Sequence, residues 1–307
     1  MSTQTHDDRR RTTDGPAGRA AWPLTLALVG IAPYLCLKAA WLLGLPWGVR
    51  DDAIVSSTAF RVANAATFAM DLTLPALVGV LLGRWRAIPL PLVRVMSWAG
   101  TGLLAGAAVA AVPGLVVVAA TGWWPASSVG LDPWVFVVVY AGFAAQAVAL
   151  AGAWSRSRLG GSRIASPADA RAWARVLPVV SAALVALALL VLAAMGDASA
   201  SQEPTERWDL AVDALILLVA AWATIRVRGR PPGARVPARL WTLTFVTTSA
   251  ATAWGAYEAA LAWAGLAGGW PLAVVHTARV ASAAALLWSA RRSLEPVPVG
   301  EQPGALA

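Results

Sequence analysis

The sequence predicts an all-α polytopic membrane protein with eight transmembrane helices and both termini on the cytoplasmic side. Three observations carry this. Of 307 residues, 58% are hydrophobic and 13% are charged, against about 25% charged in a soluble domain. The apolar residues come in long blocks, near the ~20 residues that a bilayer core demands. Arginines then fall in every second gap between those blocks. A membrane β-barrel would need short alternating segments, and these blocks do not alternate.

Residues 1–21 are polar, lack an apolar period and read as a disordered cytoplasmic tail. Arg9, Arg10, Arg11 and Arg19 imitate the charged start of a signal peptide. The apolar run behind them is too long for one, and no small-residue cleavage site follows it. The transmembrane domain spans 22–292. Its segments fall at about 22–44, 62–83, 95–120, 134–154, 175–195, 209–225, 240–264 and 270–290. Within lipid each must be helical, because an unpaired peptide group there costs several kcal/mol. The third segment contains Pro113 and Gly114, where a kink is expected. The sixth is short and opens with Asp209 and Asp213. All loops are short, so no soluble domain is inserted, and consecutive segments pair as four hairpins starting near 22, 95, 175 and 240. Residues 293–307 contain Pro and Gly and read as a second disordered cytoplasmic tail.

Arginine sets the orientation. Nineteen arginines lie in the N-terminal tail, in the gaps after segments two, four and six, and after segment eight. The opposite gaps hold Arg50, Arg61 and Arg207. The positive-inside rule then places both termini in the cytoplasm. The outer loops lean acidic through Asp51, Asp52, Asp132, Asp197, Glu203 and Glu206. Tryptophans such as Trp22, Trp47, Trp85, Trp123, Trp124 and Trp288 cluster near segment ends, where an apolar ring with one donor suits the interface.

A net charge of +8 and a pI near 11.1 invite a nucleic-acid partner. The arginines are dispersed between apolar blocks and form no single patch, so nucleic acid is not expected. One cysteine, Cys36, excludes an intrachain disulfide. Two histidines and one cysteine supply too few ligands for a structural zinc site. No HExxH, GxSxG, P-loop or CxxC motif is present. No metal, cofactor or catalytic residue is therefore assigned, and enzyme activity is not the expectation.

Six ionisable residues stand inside the spans: Lys38, Asp71, Asp213, Glu258, His276 and Arg279. A charge at the bilayer centre costs about 2.5–3.5 kcal/mol on insertion scales, so such groups should pair inside protein. Their formal charges sum to −1, or to zero with His276 protonated. None lies in the inner third of its segment, which points to a polar pocket biased toward the outside. Helical spacing supports inward stripes. Tyr34, Lys38 and Trp41 share a face, as do Asn64, Thr67 and Asp71 with Pro75 one turn on, and Thr244, Thr247, Trp254 and Glu258. His276 and Arg279 are three apart. This suits a Lys38–Asp71 pair and a Glu258–Arg279 pair with His276 beside it. Two plainer roles compete. Lys38, Asp213 and Glu258 are near enough to the outer surface to snorkel, and buried pairs can simply fix helix register. His276 is either a hydrogen-bonded packing residue or a switch, given its reference pKa of about 6.5. Gly102-x-x-x-Gly106 marks close helix packing.

The stretch Pro33-Tyr34-x3-Lys38-x2-Trp41-x2-Gly44 carries Lys38, the sole lysine of the chain. It resembles the first helix of multi-pass integral membrane proteins widespread in actinobacteria. The resemblance implies a plasma (inner) membrane location and supplies no activity or catalytic residues. The leading functional expectation is binding or transport of a small polar solute, proton-coupled through Asp71, Glu258 or His276. A non-catalytic component that assembles with a membrane partner protein comes second. An enzyme acting on a lipid-linked substrate comes third, for want of a nucleophile and base. The lipid bilayer is the partner common to all three.

Overall fold

The computed structural model describes residues 16–85, 89–121, 130–157, 162–164, 172–195, 204–231, 233–264, 269–292 and 294–296. The expected tails lie outside the described residues except for 16–21 and 294–296, and so do Trp123, Trp124, Asp197 and Glu203.

The helices are α1 (Pro16–Leu42), the short α2 (Asp52–Ser56), α3 (Thr58–Leu81), α4 (Leu90–Thr121), α5 (Pro133–Arg156), α6 (Ala172–Met195), α7 (Pro204–Arg228), α8 (Ala238–Ser249), α9 (Gly255–Trp263) and α10 (Gly269–Arg292). Seven of them, α1, α3, α4, α5, α6, α7 and α10, are long and apolar enough to cross a bilayer. The protein is therefore an integral membrane protein with its helices in lipid. Several ends differ from expectation. α1 starts at Pro16, inside the expected tail; proline suits a first helical position because its missing N–H has no partner there in any helix. α7 reaches back to Pro204 and holds 25 residues, so the segment that looked too short is full length. α4 runs on through Pro113 and Gly114 to Thr121.

The expected segment 240–264 is helical but is not among the seven. A π-helical turn, Ala250–Trp254, divides it into pieces of 12, 5 and 9 residues. The local cause is a run of hydroxyls. Thr244, Thr247, Thr248, Ser249 and Thr252 each bond to the carbonyl four residues earlier. Such bonds compete for helix carbonyls and bend the helix. The same hydroxyls lower the hydropathy of the segment.

The four expected hairpins all form, as α1 with α3, α4 with α5, α6 with α7, and α9 with α10. α1 also packs on α5, and α6 on α10. Two large apolar cores stand out among the described residues. One joins α1, α3, α5 and Phe245 of α8 to the first half of α4. The other joins α6, α7 and α10 to Ala105 of α4 and to Ala250 and Ala251 of the π-turn. α4 and the α8–α9 run therefore link the halves. Glycine permits that link. A Cβ on Gly102 would stand 2.3 Å from the Ser249 carbonyl oxygen, and one on Gly106 would stand 2.7 Å from Trp254 Cβ. The GxxxG spacing thus marks where α4 meets the π-turn. Large apolar side chains such as Val29, Leu184, Leu187 and Leu215 face outward, as lipid contact requires.

Two backbone pairings tie loops at the bundle ends. Val49 bridges Leu131, next to an exposed Arg50–Asp132 ion pair of 2.9 Å. Ser162–Ile164 (β1) pairs antiparallel with Leu294–Pro296 (β2), in the register Ser162↔Pro296.

Candidate functional site

The intramembrane charges form two clusters. In the first, Lys38 Nζ donates to Asp71 Oδ2 at 2.6 Å. The ammonium also lies 4.1 Å from the Tyr34 ring centroid, a cation–π contact one helical turn away on α1. Tyr34, Lys38 and Trp41 are all buried, as the stripe on α1 predicts. Lys38 is 1% exposed, so it does not snorkel. Its partner lies near the middle of α3, and its side chain leans back toward the N-terminal end of its own helix. The α3 stripe is only partly inward. Asn64 and Asp71 are buried, whereas Thr67 is exposed and bonds its own backbone at Ala63.

The second cluster gathers four residues from three helices. Arg279 of α10 directs Nη1 at both Asp213 Oδ2 of α7 and Glu258 Oε2 of α9, the latter at 2.5 Å. His276 stands one turn before Arg279, with Nδ1 3.5 Å from Glu258 Oε2 and 4.0 Å from Asp213 Oδ2. Arg279 is fully buried, and the side chains of Asp213 and Glu258 are 3% and 17% exposed. The snorkelling alternative therefore also fails for Asp213. Arg279 fits because Gly255 lacks a side chain: a Cβ there would meet Arg279 Nε at 3.2 Å and Cδ at 3.3 Å. Among the described residues, two guanidinium nitrogens, Nε and Nη2, have no hydrogen-bond partner, and neither does His276 Nδ1.

The expected pairs Lys38–Asp71 and Glu258–Arg279, with His276 beside the latter, are thus both present. Their arrangement differs from a single shared pocket, since the two clusters have no residue in common. An aromatic group stands between them. Phe143 of α5 meets Tyr34 edge-on at 5.5 Å and Tyr140 at 6.2 Å. Tyr140 in turn lies within electrostatic reach of Asp209 and Tyr257.

Sequence reasoning missed three features. Asp213 joins Arg279 although their helices gave no hint of contact. Gly255 was invisible as a site residue because its role is the absence of a side chain. Gln146 is fully buried on α5 with neither amide atom partnered among the described residues. It is an uncharged polar residue in an apolar run and was passed over in a search for charges. No protein-family model, curated protein or solved structure matches the chain.

Chemically, the first cluster is closed, with one cation on one anion. The second is unbalanced and carries unused donors, so it has the capacity to take a ligand.

Proposed function

We propose that the chain is an eight-span protein of the plasma (inner) membrane, both termini cytoplasmic, that binds and moves a small polar solute between its helices. The observation that carries the solute site is Arg279. It is fully buried and uses Nη1 on two carboxylates, while Nε and Nη2 have no acceptor among the described residues. A buried donor without a partner costs about 1–3 kcal/mol. A solute bearing a carboxylate or carbonyl would supply the acceptor. A π-turn close by adds support, because such turns recur at functional sites.

The eighth span is the α8–α9 run. Its three pieces hold 26 residues together, about 39 Å of helix at 1.5 Å per residue. Parity supports the crossing. β1 and β2 pair at one end of the bundle, which requires an even number of crossings between them. α6, α7 and α10 make three, and the α8–α9 run makes the fourth.

The test is a thermal-shift screen of the purified protein against small carboxylates, amides and sugars, followed by binding assays on variants. A stabilising solute whose binding drops at least tenfold in Arg279→Lys supports the site, because lysine keeps the charge but loses the planar fork. Equal binding in Arg279→Lys, Glu258→Gln and Asp71→Asn removes it. A second role, as a partner-binding component, draws on the closed Lys38–Asp71 pair, which suits packing. Recovery of a stoichiometric membrane partner in mild detergent, with no solute bound, would favour it.

A further inference from the structure

The second cluster does not balance. Asp213 and Glu258 bring two negative charges and Arg279 brings one positive charge, all in contact through Arg279 Nη1. An uncompensated charge in a low-dielectric interior is expensive. One further positive charge is needed, and its size can be argued. A divalent ion would overshoot to a net positive cluster. A monovalent metal ion would need a shell of several oxygens, whereas Asp213, Glu258 and His276 offer one ligand atom each, only two of them oxygens. A proton needs no shell. His276 Nδ1 supplies an independent sign. Its residue is 6% exposed, and the nitrogen has no hydrogen-bond partner among the described residues while facing both carboxylates at 3.5 and 4.0 Å.

We infer that Asp213, Glu258, His276 and Arg279 form a proton-binding site that holds one exchangeable proton among the two carboxylates and the imidazole. Uptake takes the cluster from one net negative charge to neutrality, with the proton drawn from solvent and no other reactant. Glu258 is the entry point, as its side chain is the most exposed of the three carriers, at 17%. The Lys38–Asp71 pair is balanced and takes no part. The charged groups that reach the cluster's carriers are Arg279 itself on α10 and Asp209 on α7, and Asp209 lies in turn within reach of Tyr140 on α5, which also has Tyr257 of α9 in reach. Asp209 has an interaction of its own. Neither α4 beyond Arg94 nor α6 beyond Arg175 carries a titratable residue. The inference concerns the cluster used for the proposed solute site, but it needs no solute to be bound or moved.

The experiment is a difference titration of the full-length purified protein, wild type against Glu258→Gln, with infrared detection of protonated carboxyl and 15N-histidine spectra to follow His276 beside His6. Wild type should release one more proton per chain than Glu258→Gln as pH rises. A protonated-carboxyl or charged-imidazole signal should be present in wild type and lost in the variant. Asp213→Asn removes the same single charge and should behave alike, which covers a failure of Glu258→Gln to fold. Arg279→Lys should keep the extra proton. Equal proton counts in wild type and both neutral variants would overturn the site. So would sodium replacing the proton one for one at fixed pH. Proton uptake without any solute binding would sink the solute site alone and leave this one standing.

Discussion

Lys38 and Asp71 lie 33 residues apart in the chain and meet at 2.6 Å inside the bundle. Neither reaches water easily, since their side chains are 1% and 11% exposed. Breaking a buried pair leaves a lone charge, which costs about 3–5 kcal/mol. Lys38→Met or Asp71→Asn should therefore lower the melting temperature and membrane abundance sharply. The double variant Lys38→Met/Asp71→Leu should recover most of the loss, because neutral packing replaces the pair. A double variant as unstable as either single one would show that the pair is not what holds α1 to α3.

Two glycines on α4 should respond with opposite signs. Gly102 lies against the Ser249 carbonyl, at 2.3 Å from an added Cβ. Gly102→Ala should destabilise by about 1–3 kcal/mol through overpacking. At Gly100 the nearest atom to an added Cβ is Leu150 Cδ1 at 3.6 Å. Gly100→Ala should be neutral or stabilising by up to about 1 kcal/mol, since alanine loses less entropy in a helix. Thermal melts in one detergent compare them directly.

Arg279 separates structure from function. Arg279→Gln alone strands the buried Asp213 and the partly buried Glu258 carboxylates and should abolish accumulation of folded protein. The triple variant Arg279→Gln/Asp213→Asn/Glu258→Gln removes every charge of the trio and should restore a monodisperse chromatographic peak. It should still fail to bind any solute that stabilises wild type. Full solute binding by the triple variant would mean that the charges serve packing alone.

Topology is open to a labelling test in a Cys36→Ser background. A thiol reagent that cannot cross membranes should label Ala53→Cys from outside. It should reach Gly229→Cys only after permeabilisation. Reporters at the two termini should both read as cytoplasmic. Termini on opposite faces would reduce the spans to seven and exclude the α8–α9 run.

The class, the hairpins and the span positions were legible because lipid imposes a length and a polarity on each helix. Lys38–Asp71 was legible because both residues sit on inward stripes of helices joined by one loop. The Arg279 cluster was only half legible. Glu258 and Arg279 belong to one hairpin, whereas Asp213 arrives from the preceding hairpin through tertiary packing that no periodicity encodes. The pieces of the run through 240–264 were hidden for another reason. Hydroxyl-to-carbonyl bonds decide its helix type, and side-chain hydropathy does not report them.

A turn of five-residue spacing inserts, in effect, one residue into the α-helical count. Each residue of an α-helix turns the chain by about 100°. The segment Ala250–Trp254 therefore sets the angular phase of everything after it, and Glu258 lies only four residues beyond. Deleting Ala251 would remove the extra residue together with the turn and keep Glu258 facing Arg279, whereas straightening the run to plain α-helix with every residue kept would swing Glu258 by about 100° away. The same displacement, made reversibly by passing the extra residue along the helix, would connect and disconnect Glu258 without any helix having to tilt or slide.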